Sequence, residues 1–407
     1  MSRRWLIFVI ASSLFFLSQF YRVSIAVIAP LLIEDLSLNT EGLGLISASF
    51  FYAFAFTQIP ISLLLDKVGA RSLMTTLSII GVMGAIIFSW ADAMPMGIAG
   101  RILMGAGMAC NLMGTFKLLT QWFKPRIFAT LIGVVIAIGT VGNMVATTPL
   151  VLLVQHLGWR VSFQLIATIN LILALVFYFV ARDRPAQNGA DGHPPHAIIP
   201  LQQAFGNLRL LLQQKDYWII SVSTLVRYGV FAAFQALWAG PFLMEAMGYS
   251  PVTAGNLILL LNFAIILGAP FWGALSDRVF KTRKAIIITG LTGTALTIVA
   301  LVAATPATPL AVVSLMFFCF GFFNATGALM YPHIKEQMPA DMSGLAMTGI
   351  NFFNMIGPAI FLQGLATLMQ TLYPQASRGV EAFNAAFILC LICLIGAAGL
   401  YAFAREK

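Results

Sequence analysis

Along most of this chain apolar residues do not alternate with polar ones. They run unbroken for about twenty positions, stop at a short cluster of charged residues, glycine or proline, and resume. A helix needs about 20 apolar residues to cross the ~30 Å hydrocarbon layer, whereas the strands of a transmembrane barrel would show alternation in segments of about ten. The pattern predicts an all-α membrane protein with twelve transmembrane helices. These cover residues 5–30, 43–65, 73–91, 97–121, 128–153, 161–181, 217–241, 252–275, 285–303, 309–331, 343–370 and 382–403. The first run follows Met1-Ser2-Arg3-Arg4 as a signal peptide would, but its extent to Pro30 exceeds an h-region of ~7–15 residues, so it reads as the first span. The one long polar stretch, with Arg182-Asp183-Arg184-Pro185, a Gly/His/Pro segment, Arg209 and Lys215-Asp216, lies between the sixth and seventh runs. It divides the chain into an N-terminal six-helix bundle over 1–181, a cytoplasmic linker over 182–216 and a C-terminal six-helix bundle over 217–407.

Composition agrees. Of 407 residues, 60% are hydrophobic and 9% charged, with a mean hydropathy of +0.92, which excludes a soluble domain and a disordered chain. The net charge of +9 would suggest nucleic acid only if topology were ignored. With the N-terminus inside, 17 lysines and arginines fall on the inner side and only Arg160 and Arg378 on the outer, the bias that orients membrane proteins. Both termini are then cytoplasmic. Arg22, Arg101, Lys117 and Arg227 fall within spans, while all fourteen acids fall in loops or at helix ends. The cysteines, including the Cys390/Cys393 pair, sit in apolar runs without the partners of a zinc or redox motif and read as small packing residues. No Walker A, HExxH, GxSxG or EF-hand sequence is present, so neither an enzyme, a metal site, a cofactor nor a nucleotide-driven pump is indicated.

The halves superpose with an offset of 211: Pro30 falls on Pro241, Glu34 on Glu245, Gly44 on Gly255, Leu64 on Leu275, Asp66 on Asp277 and Lys67 on Arg278. Parallel repeats of this kind build many secondary carriers, with the substrate site between the halves near the midplane. The loop Gly273-Ala274-Leu275-Ser276-Asp277-Arg278, and its counterpart from Ser62 through Asp66 and Lys67 to Arg71, resemble the cytoplasmic G-x-L-x-D-R-x-G-R-R loop of the major facilitator superfamily. Arg101-Ile102-Leu103-Met104-Gly105-Ala106-Gly107 is similar to that family's R-x-x-x-G-x-G. Ser62, Ala70 and Phe280 depart from the loop pattern. The resemblance covers essentially the whole chain. It implies a transporter of the organic-anion or organophosphate exchanger-like, or anion:cation symporter-like, branch, working as a monomer. The loop charges suggest a conformational latch, Asp66 pairing with Arg71 or with a basic residue of the other half, with Asp277 and Arg278 as the gating counterparts of Asp66 and Lys67 in the repeat; the alternative is that Asp66 and Asp277 merely fix their loops.

A cation at bilayer depth costs roughly 2.5–3.5 kcal/mol on insertion scales, so the four within spans are read first as functional. Arg22 stands eight residues before Pro30, in the outer half of its helix. Organic-phosphate and organic-anion carriers of the family place an arginine similarly, which implies anion binding. Arg227-Tyr228-Gly229 resembles the second anion-binding arginine of the phosphate-ester exchangers, although the repeat partner of Arg22 is Ala233. Arginine suits carboxylate and phosphate because its planar fork donates two parallel hydrogen bonds and stays charged. Arg101 is open between a structural and a conformational role, and Lys117 between the site and snorkelling to the inner headgroups. In the family, helices 1, 4, 7 and 10 surround the cavity, backed by 2, 5, 8 and 11. On those helices stand Gln19, Tyr21, Tyr52, Asn111, Asn143, Gln235, Trp238, Asn262, Asn324, Tyr331, Asn351 and Asn354, each either a substrate contact or glue between helices. His333 reads as a capping or loop residue at the inner end of the tenth helix. The combined expectation is a carrier for a small organic anion in a plasma membrane, a bacterial inner membrane by its compact loops, using exchange, uniport or symport without a carboxylate relay. An exporter of amphipathic drugs or siderophore-like compounds is the alternative.

Overall fold

A computed structural model describes residues 3–123, 125–183, 210–338 and 343–406. Eleven helices among them are long and apolar enough to cross a membrane, and Thr130–Val145 is a shorter apolar helix. We number the spans α1 to α12. The first six are α1 (Arg3–Val23 and Ile25–Asp35), α2 (Thr40–Val68), α3 (Ala70–Ser89), α4 (Met94–Trp122), α5 (Pro125–Val145 continued by residues 148–157) and α6 (residues 159–180). The last six are α7 (Lys215–Ala246), α8 (Pro251–Phe280), α9 (Lys284–Val302), α10 (Leu310–Gln337), α11 (Ser343–Leu372) and α12 (Val380–Tyr401). The twelve runs in the sequence are thus twelve spans, several of them longer at the ends. α5 and α6 join through one residue, Gly158, whose φ of +73° is accessible to glycine without a Cβ clash. Most of the expected linker, 184–209, lies outside the described residues.

Caps explain where spans begin. Asn39 Oδ1 accepts from the Gly42 amide at 2.7 Å to open α2, and Ser250 Oγ accepts from the Thr253 amide at 3.2 Å to open α8, with Pro251 at the first helical position. At the turn into α3, Asp183 Oδ1 accepts from the Arg71 amide at 3.0 Å.

Five spans are interrupted along their length. α1 breaks at Ser24, α4 at Ala109–Cys110 and α5 at Ala146–Thr147. α7 loosens into a π-helical stretch at Phe234–Trp238, and α10 tightens into a 3₁₀ stretch at Ala325–Leu329. The offset of 211 carries Ser24 onto Gln235, inside the α7 stretch, so the repeat extends to where helices 1 and 7 deform. Such breaks are tolerated at membrane depth where the freed backbone is enclosed by protein, and π and 3₁₀ segments recur at functional positions.

The first and last six spans meet from the end opposite the termini inward. There Thr40 and Ser377 hydroxyls are 2.7 Å apart, Thr367 donates to Glu41 at 3.4 Å, and Thr148 donates to Asn256 at 2.6 Å. Deeper along α2 and α11, Tyr52 donates to Gln363 at 3.1 Å, and Asn351 donates to Gln58 at 2.9 Å beside the Phe56–Phe352 ring pair. Gln58 lies 18 residues, ~27 Å of helix, below Thr40.

Candidate functional site

With α1 running to Asp35, Arg22 falls at the 20th of 33 positions, just past the middle and on the side its spacing to Pro30 suggests. It lies in the last turn of the first segment of α1, two residues before Ser24. Its side chain is buried, lies over Phe54 of α2 with Cζ 4.8 Å from the ring centre, and donates from Nη1 to the Tyr228 hydroxyl of α7 at 3.2 Å. The contact joins the first six spans to the last six.

Arg227 is also buried, and points the other way around α7. Its Nη1 donates to the Asn324 carbonyl at 3.0 Å and to Asn324 Oδ1 at 2.6 Å, and its Nη2 to Asn354 Oδ1 at 3.4 Å. Cζ also lies 5.6 Å from the Tyr228 ring centre. Tyr228, one residue or ~100° further around the helix, therefore stands between the arginines. Tyr331 lies within electrostatic reach of both and donates to Asn351 Oδ1 at 2.9 Å, continuing through Asn351 to Gln58. The Nε atoms of Arg22 and Arg227 are buried with no hydrogen-bond partner, as is Gln19 Oε1, one helical turn from Arg22. Among the described residues no aspartate or glutamate is fully buried.

The residues expected to line the site thus divide. Arg22, Arg227, Asn324, Asn351 and Asn354 converge at the interface, with Gln19 on the same side of α1 as Arg22. Asn111 donates to the Leu14 carbonyl at 3.1 Å and Gln235 to Asn262 Oδ1 at 2.6 Å, so both tie helices within their own half. Tyr21 packs against Phe163 of α6, and Trp238 against Phe383 of α12; both are buried away from the arginines. Lys117 donates to the Leu65 carbonyl of α2. Tyr228, Phe54, Gln58 and Gln363 join the site beyond the residues the sequence points to. Gln58 and Gln363 carry the same signal as the others, an amide in an apolar run, and Tyr228 adjoins Arg227.

The gating residues are engaged within each half. Arg101 is fully buried, donates from Nη1 to the Tyr21 carbonyl at 2.8 Å and lies over Phe50 at 4.6 Å. Arg71 donates from Nε to the Tyr178 carbonyl at 2.8 Å and lies over that ring, while its backbone amide donates to Asp183 at the α3 turn. The side chain of Asp66 lies outside the described residues. Asp277 pairs with Arg283, not with Arg278, which is exposed; Arg283 also reaches Glu336 at 3.3 Å. A six-residue reach across the loop brings Arg283 back over Asp277, whereas the adjacent Arg278 points outward. His333 is buried, its ring nitrogens 2.6 Å from the Tyr401 hydroxyl and 2.9 Å from the Arg405 carbonyl, which fixes the end of α10 to the end of α12.

The sequence matches the family model described as Major Facilitator Superfamily over residues 10–362. It is 24% identical over 371 residues to the probable sulfoacetate transporter of Cupriavidus necator, covering 86% of this chain and 84% of that one. It is 26% identical over 360 residues to the hexuronate transporter of Bacillus subtilis, covering 83% and 82%. The fold resembles an inward-facing bacterial homologue of the human lysosomal transporter Spinster, with a TM-score of 0.77 at 17% identity over 99% of this chain and 97% of that one.

Proposed function

We propose that this chain, which belongs to the Major Facilitator Superfamily and is a multi-pass membrane transporter rather than an enzyme, is a secondary carrier that moves a small organic anion by rocking alternating access. One observation carries the reading: Arg22 from the first six helices and Arg227 from the last six converge on Tyr228 with no buried carboxylate beside them among the described residues. Two buried cations without acidic partners are costly unless a ligand supplies the negative charge. Sulfoacetate and hexuronate, which the named relatives are described as transporting, are organic anions and support the same class.

Residues 1–181 and 217–407 act in this reading as two bundles that rock about the arginine layer, joined by the cytoplasmic segment 182–216. The contacts at Thr40–Ser377 and Thr148–Asn256 support a form sealed on the outer side. The breaks in α1, α4, α7 and α10 give the bundles flexure beside the ligand, as in carriers whose interrupted helices meet at the midplane. Exchange, uniport, or symport in which the substrate brings its own proton suits a site with no buried acid. The charge distribution supports a plasma membrane with both termini inside, here a bacterial inner membrane, and a monomer is enough to form the site.

Arg22→Gln is the direct test. It removes a charge-assisted donor worth about 1.5–3 kcal/mol, so half-saturation for anion uptake into proteoliposomes should rise roughly tenfold to a hundredfold. Uptake at the wild-type rate and affinity would exclude Arg22 from the site.

A further inference from the structure

The arginines differ in how their charge is held, and the difference constrains the anion. Building on the carrier reading above, we infer that the substrate bears two acidic groups on a short backbone, one received by Arg22 and the other by Arg227. Arg227 is fixed on its own side by Asn324 and Asn354. Arg22 rests over Phe54, and its hydrogen bond goes to a neutral hydroxyl. Each keeps a buried Nε without a partner.

Tyr228 separates them, its hydroxyl against Arg22 and its ring beside Arg227. A single acidic group shared by both would have to draw Arg227 from two amide oxygens or Arg22 from its aromatic seat. An anion with an acid at each end meets both where they stand. Charge leads to the same conclusion. Of the four cations within spans, Arg101 is enclosed within the first six helices and Lys117 bonds to the Leu65 carbonyl of α2, which leaves Arg22 and Arg227, and no acid is fully buried among the described residues. A dianion neutralises both, whereas a monoanion leaves one buried charge uncompensated. The Tyr228 hydroxyl accepts from Arg22. Its own proton remains available for an acidic group that takes that place.

The test compares a dianion with its own monoamide, equal in length and differing by one charge. Purified full-length protein is titrated with tartrate, glucarate and their monoamides, and the melting temperature is followed, since a ligand stabilises by RT ln(1 + [L]/Kd). One dianion should half-saturate at a concentration at least tenfold lower than its monoamide. In Arg22→Gln the dianion should fall to the monoamide's affinity, while the monoamide, held by Arg227, shifts less than threefold. Equal affinities of dianion and monoamide in the wild type would overturn the two-acid site and leave the anion carrier standing. No response to these or to monocarboxylates and phosphate esters would overturn both. The wild-type comparison is decisive by itself should Arg22→Gln fail to fold.

Discussion

Gly240→Leu is expected to bring transport to background while leaving anion binding measurable. Gly240 lies in α7 between the π-helical stretch Phe234–Trp238 and a second one at Phe242–Ala246, where the span meets the second segment of α1. A Cβ built there would stand 1.7 Å from the Ala26 carbonyl oxygen and 2.7 Å from its carbon, and both are backbone atoms with no rotamer to retreat into. Backbone contact this close is how membrane helices pack through small residues. Overpacking costs typically about 1–3 kcal/mol and more where, as here, only main chain can yield, which shifts a two-state equilibrium against the closed form by roughly tenfold to a hundredfold or beyond. The variant should therefore hold open the end opposite the termini. In a background without the four native cysteines, Gln363→Cys, placed on α11 opposite Tyr52, should react with an impermeant maleimide several-fold faster once Gly240→Leu is added. Flux near the wild-type rate, or unchanged labelling, would mean that closure at α1–α7 is not part of the cycle.

What the sequence could convey depended on whether a feature is local. Twelve spans were legible because each is a run of about twenty apolar residues, the length the bilayer imposes. Their ends drifted where a helix continues past a charged residue: α7 runs through Glu245 because Arg378 pairs with it at 3.1 Å, and α1 runs on to Asp35. The arginines were legible because a buried cation is rare enough to be informative alone. The amides were not separable. Asn111, Gln235, Asn324 and Asn354 are each a lone amide in an apolar run, and only helix rotation decides which bonds a neighbouring helix and which faces Arg227. The α10 break was illegible for a related reason. Ala325-Thr326-Gly327-Ala328-Leu329 reads as ordinary small-residue membrane helix, yet it is a 3₁₀ stretch whose Gly327 lies against Arg227. The loop ion pairs are not local either: a pair depends on where a loop turns, and here the turn delivers Arg283 to Asp277.

Gly327→Ala tests whether the placement of Arg227, apart from its charge, makes the site. Gly327 sits in the 3₁₀ stretch of α10, and a Cβ there would lie 1.9 Å from Arg227 Cζ, 2.1 Å from Nη1 and 2.3 Å from Nε. The atoms in its path are the end of a flexible side chain, so the methyl should displace the guanidinium instead of unfolding α10. The displaced group loses the bonds to the Asn324 carbonyl and Oδ1 that now aim it. The charge remains in the membrane but leaves its position, and bidentate recognition of an acid depends on position. Anion affinity should fall at least about a hundredfold, the lower bound expected when two charge-assisted bonds of about 1.5–3 kcal/mol each are lost or misdirected. Adding Arg227→Gln should cost little more, because both changes remove the same interaction and a double-mutant cycle then shows strong coupling. If the two losses instead add, Gly327 acts on the anion by a route other than Arg227. If Gly327→Ala binds as the wild type does, the seat against Asn324 is not the geometry in which Arg227 meets its ligand.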